Sequence, residues 1–253
     1  MTNPIIAGAE PWSHTGDGPH GAVVVHGFTG NPASMRGVAE ALAATGFHVE
    51  MPRLPGHGTV IEEMLPTRWA DWVAEAEAAY QRLARRSTHN VVVGLSMGGA
   101  LTLRLGADHP EVVGLVCINP VAQPQPVEIT DMLRDLAAGG TAVLPGIGSD
   151  IADPEATESA YDGTPVESLR SMLVDGIEPL SHEYASMHMP LLLINSAQDH
   201  VVEPAQSEYL ADNYGGPVER ITLERSYHVA TQDYDKELIF ESTVEFATRV
   251  IAH

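Results

Sequence analysis

Two kinds of hydrophobic pattern alternate along the chain. Short β-branched runs read as strands: Ala22-Val-Val-Val-His26, Phe47-His-Val-Glu-Met51, Val91-Val-Val93, Val112 to Ile118, Leu191 to Ile194 and Val218 to Leu223. Between them, apolar residues return every three or four positions, the spacing of one helix face. Met35, Val38, Ala39 and Leu42 predict a helix over Ser34 to Ala44. Trp69, Trp72, Val73, Ala76, Ala79, Tyr80 and Leu83 predict another from Thr67 to Ala84, with Thr67 placed to cap it and the tryptophans as core anchors. Further helices are predicted from Ala100 to about Asp108, near Pro204 to Asn213, and from about Asp235 to Ile251. Residues 1–20 are polar and carry at most a short opening strand. Continuous apolar strands alternating with helices imply an α/β fold, a mostly parallel sheet covered on both faces.

The alternation stops between Asn119 and Met189. Prolines at 120, 124, 126, 145, 154, 165 and 179 interrupt it. Thr130 to Ala138 and Val166 to Gly176 read as short amphipathic helices, and the glycine-rich Gly139 to Gly148 between them as a mobile run. Long interruptions of a compact fold are usually functional or disordered. Residues 121–188 are therefore expected to form a small cap inserted over the carboxyl edge of a core made of residues 1–120 and 189–253. Met132, Leu133, Leu136, Val143, Leu144, Ile147, Leu169, Met172 and Leu173 either line an acyl pocket there or pack the cap on the core.

Composition narrows the partners. The 253 residues are 44% hydrophobic and 19% charged, which suits one globular unit with a large core. A formal net charge of -21 argues against nucleic acid or an anionic membrane surface. Lys236 is the only lysine, so no phosphate-binding G-x-x-x-x-G-K loop exists. Cys117 is the only cysteine; it sits in an apolar run, reads as core, and leaves no intrachain disulfide possible. The first ten residues do not resemble a signal peptide, and no apolar run is long enough to span a bilayer, so a cytoplasmic location is expected. The twelve histidines are scattered without H-E-x-x-H, and G-x-G-x-x-G is absent. Neither a metal nor another cofactor is expected.

Chemistry concentrates in Gly94-Leu-Ser-Met-Gly98, between a strand run and a helix run. Strand, Gly-x-Ser-x-Gly, then helix is the nucleophile-elbow arrangement, in which glycines relieve a turn too sharp for side chains. It lifts the Ser96 hydroxyl above the sheet edge and sets the Met97 N–H at a helix start, where a developing oxyanion is favoured. A serine needs a base, and the base an orienting acid. In this architecture they follow in the order acid, then histidine. Asp199 lies in the loop after the strand ending at Ile194, and His228 in the loop after the strand ending at Leu223. His200 adjoins Asp199 and makes a poor partner; Asp233 and Asp235 come after His228, in the wrong order. A second oxyanion donor fits Phe28, in His26-Gly-Phe-Thr-Gly30, with His26 a buried structural group.

These motifs, with Leu54-Pro-Gly-His-Gly58 and Gly94-Leu-Ser-Met-Gly-Gly99, resemble the α/β-hydrolase superfamily along most of the chain, and within it the bacterial carboxylesterase and monoacylglycerol lipase group. The resemblance implies a Ser96–Asp199–His228 triad, oxyanion donors at Phe28 and Met97, and hydrolysis of short- to medium-chain acyl esters or monoacylglycerols. The same triad would also serve thioester hydrolysis or acyl transfer. A non-catalytic ligand-binding protein on this fold would have no need of all three residues.

Overall fold

A computed structural model describes residues 3–146 and 148–252. Its strands are β1 (Trp12–His14), β2 (His20–Val25), β3 (His48–Met51), β4 (His89–Leu95), β5 (Gly114–Ile118), β6 (Val143–Pro145), β7 (Gly163–Pro165), β8 (Leu191–Ser196) and β9 (Val218–Leu223). Its α-helices are α1 (Arg36–Ala44), α2 (Ile61–Met64), α3 (Trp69–Ala84), α4 (Met97–Asp108), α5 (Val127–Ala138), α6 (Val166–Ser171), α7 (Glu178–Ser181), α8 (Ala205–Asn213) and α9 (Lys236–Val250). Seven strands form the main sheet in the order β1-β3-β2-β4-β5-β8-β9. Only β1 runs antiparallel to its neighbour, pairing Trp12 with Met51. The remaining pairings are parallel, as continuous apolar runs require.

Strand periodicity sends alternate side chains to opposite faces. Val91, Val93 and Leu95 join Ala22, Val24, Val116, Ile118, Leu192 and Ile194 under α1 and α9. Val92 joins Val23, Val25, Leu115, Cys117, Leu191 and Leu193 on the other face, with the buried sides of α3 and α4. Cys117 is buried core, and burial pushes its thiol far above the usual range.

Local starts and stops differ from the sequence expectation in a few places. The helix expected from Ser34 opens with a tight 3₁₀ turn, Pro32–Met35, in which the Asn31 side chain accepts the Ala33 N–H at 3.0 Å. Thr67 does not cap α3: its hydroxyl turns back to Met64 O at 2.7 Å, and the Arg68 N–H is taken by Asp71 Oδ2 at 2.8 Å. The helix starts one residue later, with Arg68 at the N-cap and Asp71 as the reciprocal acceptor three residues on. Trp72 is fully buried and donates its indole N–H to Pro55 O at 3.1 Å, so the buried polar end is satisfied.

Between β5 and β8 the chain makes α5, the β6–β7 antiparallel hairpin, α6, a π-helical turn (Met172–Ile177), α7 and a 3₁₀ turn (Tyr184–Ser186). Part of the run expected to be mobile is a strand, because Val143–Pro145 finds its partner twenty residues on, at Gly163–Pro165. Ile147 lies outside the described residues. The helix expected to end at Gly176 continues by widening into the π turn, with Gly176 closely packed on the Trp69 indole.

Trp72→Ala removes a large buried side chain and should lower the unfolding free energy by about 3–5 kcal/mol in urea titrations. A loss below about 1 kcal/mol would contradict its role as a core anchor.

Candidate active site

The turn from β4 to α4 positions Ser96. Its φ is 58° and its ψ -119°, outside the favourable regions for a residue with a side chain. The turn is so tight that a Cβ on Gly94 would collide with the backbone of Gly98, and one on Gly98 with the carbonyl of Val25. Ser96 is held by its N–H to Ile118 O at 2.9 Å and by its own carbonyl, which accepts the N–H groups of Gly99 at 2.9 Å and Val121 at 3.3 Å. Such strain persists only where the surroundings over-determine it.

The loop after β2 closes on this serine. A Cβ on Gly27 would lie 3.2 Å from Ser96 Cβ, tighter than an ordinary contact, so the approach favours glycine. Among the described residues, neither the Phe28 nor the Met97 N–H has an internal hydrogen-bond acceptor. Beneath the loop, His26 Nδ1–H donates to Gly27 O at 2.9 Å, and His26 Nε2 accepts the Leu54 N–H at 3.1 Å. His26 therefore joins the loop to the next one as a structural group. His57 sits beside it, ring centroids 5.0 Å apart, and Trp72 packs edge-on against both His57 and Phe28.

Asp199 and His228 meet above the sheet's carboxyl edge. His228 Nδ1–H donates to Asp199 Oδ2 at 2.7 Å, with both side chains buried. The other carboxylate oxygen of Asp199 accepts the Val201 and Val202 N–H groups at 2.8 and 2.7 Å. That leaves the carboxylate immobile and selects the imidazole tautomer with Nε2 unprotonated. Ser96 and His228 line one cavity. Among the described residues Ser96 Oγ has no hydrogen-bond partner, so it is free to turn towards either a substrate or the imidazole.

The cavity encloses about 450 Å³. Leu133, Leu144, Leu169, Met172, Leu173 and Val202 give it apolar walls, and Phe28, Ser96 and His228 lie at its polar end. Met132 reaches its wall while remaining half exposed, and Val143 is exposed on β6. Leu136 packs against the core cluster instead. Glu158 also lines the cavity, and burial raises its carboxyl above the ordinary range; the His228 charge opposes that rise and Asp150 adds to it. No group of three or more His, Cys, Asp or Glu among the described residues could hold a metal ion.

Several site residues had no signal in the sequence. Asn119, at φ 43° just past β5, accepts the Ser196 N–H at 2.7 Å and donates to His228 O at 2.8 Å. It ties the ends of β5 and β8 to the histidine loop. Asp150 and Glu158 come from the irregular part of the insertion, where nothing periodic marks them.

The family profile of serine aminopeptidase, S33, matches residues 18–235. The chain belongs to that hydrolase family. A thermostable monoacylglycerol lipase of Bacillus sp. (strain H-257) is 41% identical over 246 residues, 96% of each chain. A carboxylesterase of Bacillus subtilis (strain 168) is 24% identical over 95% of this chain and 97% of its own. Among solved structures, one of a report on LipS and LipT, two metagenome-derived lipolytic enzymes, superposes with a TM-score of 0.89 at 39% identity, covering 97% of this chain and all of that one. This S33 family member is an α/β hydrolase of the lipase and esterase group. No helix among its described residues is long and apolar enough to cross a membrane.

His57 yields a stability test. Burial lowers its pKa to about 4, against an unfolded value of 6.5, and burial lowers that of His26 as well. As pH falls through 6.5 the unfolded chain gains protons that the folded chain refuses, so stability is lost between about pH 6.5 and 4. For His57 the loss is of the order of 3 kcal/mol by pH 4. Urea titrations across that range should show the decline, and His57→Gln should flatten it. An equal slope in that variant would contradict the assignment.

Proposed function

We propose that this hydrolase is a serine esterase that cleaves medium-chain acyl esters, monoacylglycerols foremost, with Ser96 as nucleophile, His228 as base and Asp199 as the orienting acid. The observation that carries the reading is the convergence of the strained Ser96, the Asp199-bonded His228 and Phe28 on one apolar-walled cavity, with the Met97 N–H, next in the chain to Ser96, left without an internal acceptor.

Ser96 Oγ attacks the ester carbonyl carbon and passes its proton to His228 Nε2. Asp199 stabilises the imidazolium, and the Phe28 and Met97 N–H groups hold the tetrahedral oxyanion. Collapse breaks the bond to the alkoxy oxygen, which takes the proton from His228 and leaves as the alcohol. Water then attacks the acyl-enzyme and gives its proton to His228. The second collapse returns that proton to Ser96 and releases the acid.

Residues 121–188 serve as the cap in this reading, their leucines and methionines receiving the acyl chain. Glu158 lies in the cavity, and no side-chain hydrogen bond to its carboxyl exists among the described residues. Such a group accepts hydroxyl protons, which suits the free hydroxyls of a glycerol leaving group. It also gives the family's aminopeptidase description a competing test, because a carboxylate can bind an amino terminus.

Turnover of monoacylglycerols, p-nitrophenyl esters of graded length and aminoacyl arylamides separates these. Medium-chain monoacylglycerols should be preferred and arylamides left intact; preferred arylamide cleavage would overturn the substrate assignment. Ser96→Ala should lower kcat at least about ten-thousand-fold, and Asp199→Asn about a thousand- to ten-thousand-fold. Wild-type turnover in Ser96→Ala would overturn the mechanism. Glu158→Leu should raise KM for monoacylglycerols about tenfold or more and leave p-nitrophenyl esters within about twofold.

A further inference from the structure

The loop that carries His228 belongs to no strand ladder, so its backbone donors need other acceptors. The insertion supplies them. Asp150 is buried, and its Oδ2 accepts the His228 N–H at 3.1 Å and the His200 N–H at 3.1 Å. Its Oδ1 takes the His200 ring Nδ1–H at 2.8 Å. Its main-chain carbonyl accepts the Val229 N–H at 3.1 Å. Two residues on, the N–H groups of Ala152 and Asp153 donate to the Asp233 carboxylate at 2.7 and 3.0 Å, and Asp233 also accepts the Tyr227 N–H at 2.9 Å. The N–H groups of Tyr227, His228 and Val229 are thus all accounted for by Asp150, by Asp233, and by the strand of insertion pinned between them.

We propose that Asp150 is a positioning residue for His228, and that residues 150–153, although they interrupt the core in chain order, are a strap that sets the catalytic histidine. The inference rests on the reading of His228 as the base. Asp199 fixes the imidazole at one end through its ring nitrogen; Asp150 fixes the same residue through its backbone. With both ends held, the ring cannot swing or slide away from Ser96. Bonds to a buried carboxylate are directional and costly to leave unmade. Removing the carboxylate leaves the buried His228 N–H and the part-buried His200 N–H without an acceptor. They regain partners only if the backbone at 200 and 228 shifts, and the imidazole shifts with it. Asp150 also touches the cavity, but the apolar walls that hold the acyl chain come from other elements, so the larger effect falls on the position of His228.

The effect therefore falls on kcat rather than KM. A displacement of about 1 Å in a reacting group can cost about a hundredfold. Asp150→Ala should lower kcat about 10- to 100-fold with KM within about threefold. Asp150→Asn keeps a carbonyl oxygen for the two backbone donors, while its amide can donate to His200 Nδ1 once the ring carries its proton on Nε2. It should hold kcat within about threefold, which separates the hydrogen bond from the charge. His200→Gln should stay within about twofold, since its half-exposed ring lies outside the cavity. The low-field proton resonance of the His228 Nδ1–H to Asp199 bond should persist in Asp150→Asn and be lost or broadened in Asp150→Ala.

If Asp150→Ala does not fold, Asp150→Ser replaces it, being too short to reach the His228 N–H, with the same expectation. An Asp150→Ala enzyme with wild-type kcat and an unaltered resonance would overturn the inference. So would an Asp150→Asn enzyme as impaired as Asp150→Ala, because charge would then be the cause. His228→Ala, run beside them, keeps the two readings apart. If it retains turnover, His228 is not the base. If it is inactive while Asp150→Ala is not, the triad stands and the strap falls.

Discussion

The turn at Ser96 is the constraint on which the rest depends. A side-chain-bearing residue at φ 58° costs about 1–3 kcal/mol and relaxes unless its neighbours forbid it. Here they do. The strand before it lies between two parallel partners, the helix after it is buried, and the carbonyl of Val25 stands where Gly98 would otherwise carry a side chain. The sheet is thus the device that stores the strain. Two separate hydrophobic layers, one per face, keep the strands from shifting to relieve it.

Everything reactive then gathers at one edge by topology. Parallel strands end on the same side, so the loops after β2, β4, β8 and β9 are neighbours, although their residues lie up to two hundred positions apart. The loops themselves have little regular structure, and buried polar groups hold them: His26 under the Phe28 loop, Asn119 across the ends of β5 and β8, and Asp150 behind His228. A rigid sheet sets where the groups start. A second layer of hydrogen bonds sets where they point.

The sheet and its flanking helices were legible because their signals are local. Val91 to Val93 and the heptad-like spacing around Trp69 and Trp72 each declare an element within a dozen residues. The elbow was legible for the same reason, since Gly94 answers a collision with Gly98 four residues on, although Gly98 itself makes room for Val25 of a neighbouring strand. Asp199 and His228 could be picked out because strand order fixes which loops share an edge, and the structure places them 2.7 Å apart. The partners that failed to show were those made across the chain. Val143–Pro145 pairs with a strand twenty residues on, and Asp150 bonds fifty and seventy-eight residues away. Thr67 was misread for a related reason: the helix is capped one residue later, at Arg68, and the Trp69 N–H goes to Ser171 Oγ from the insertion at 3.2 Å. Asp150 and Glu158 lie in the irregular part of the insertion, so what they touch is visible only in three dimensions.

The most direct test of the central claim is to treat the protein with a fluorophosphonate and locate the adduct by peptide mass spectrometry. A single phosphonylated residue at Ser96, with labelling strongly slowed in His228→Ala and Asp199→Asn, is the result the account predicts. An adduct at another residue, or labelling of Ser96 at the same rate in all three proteins, would contradict it.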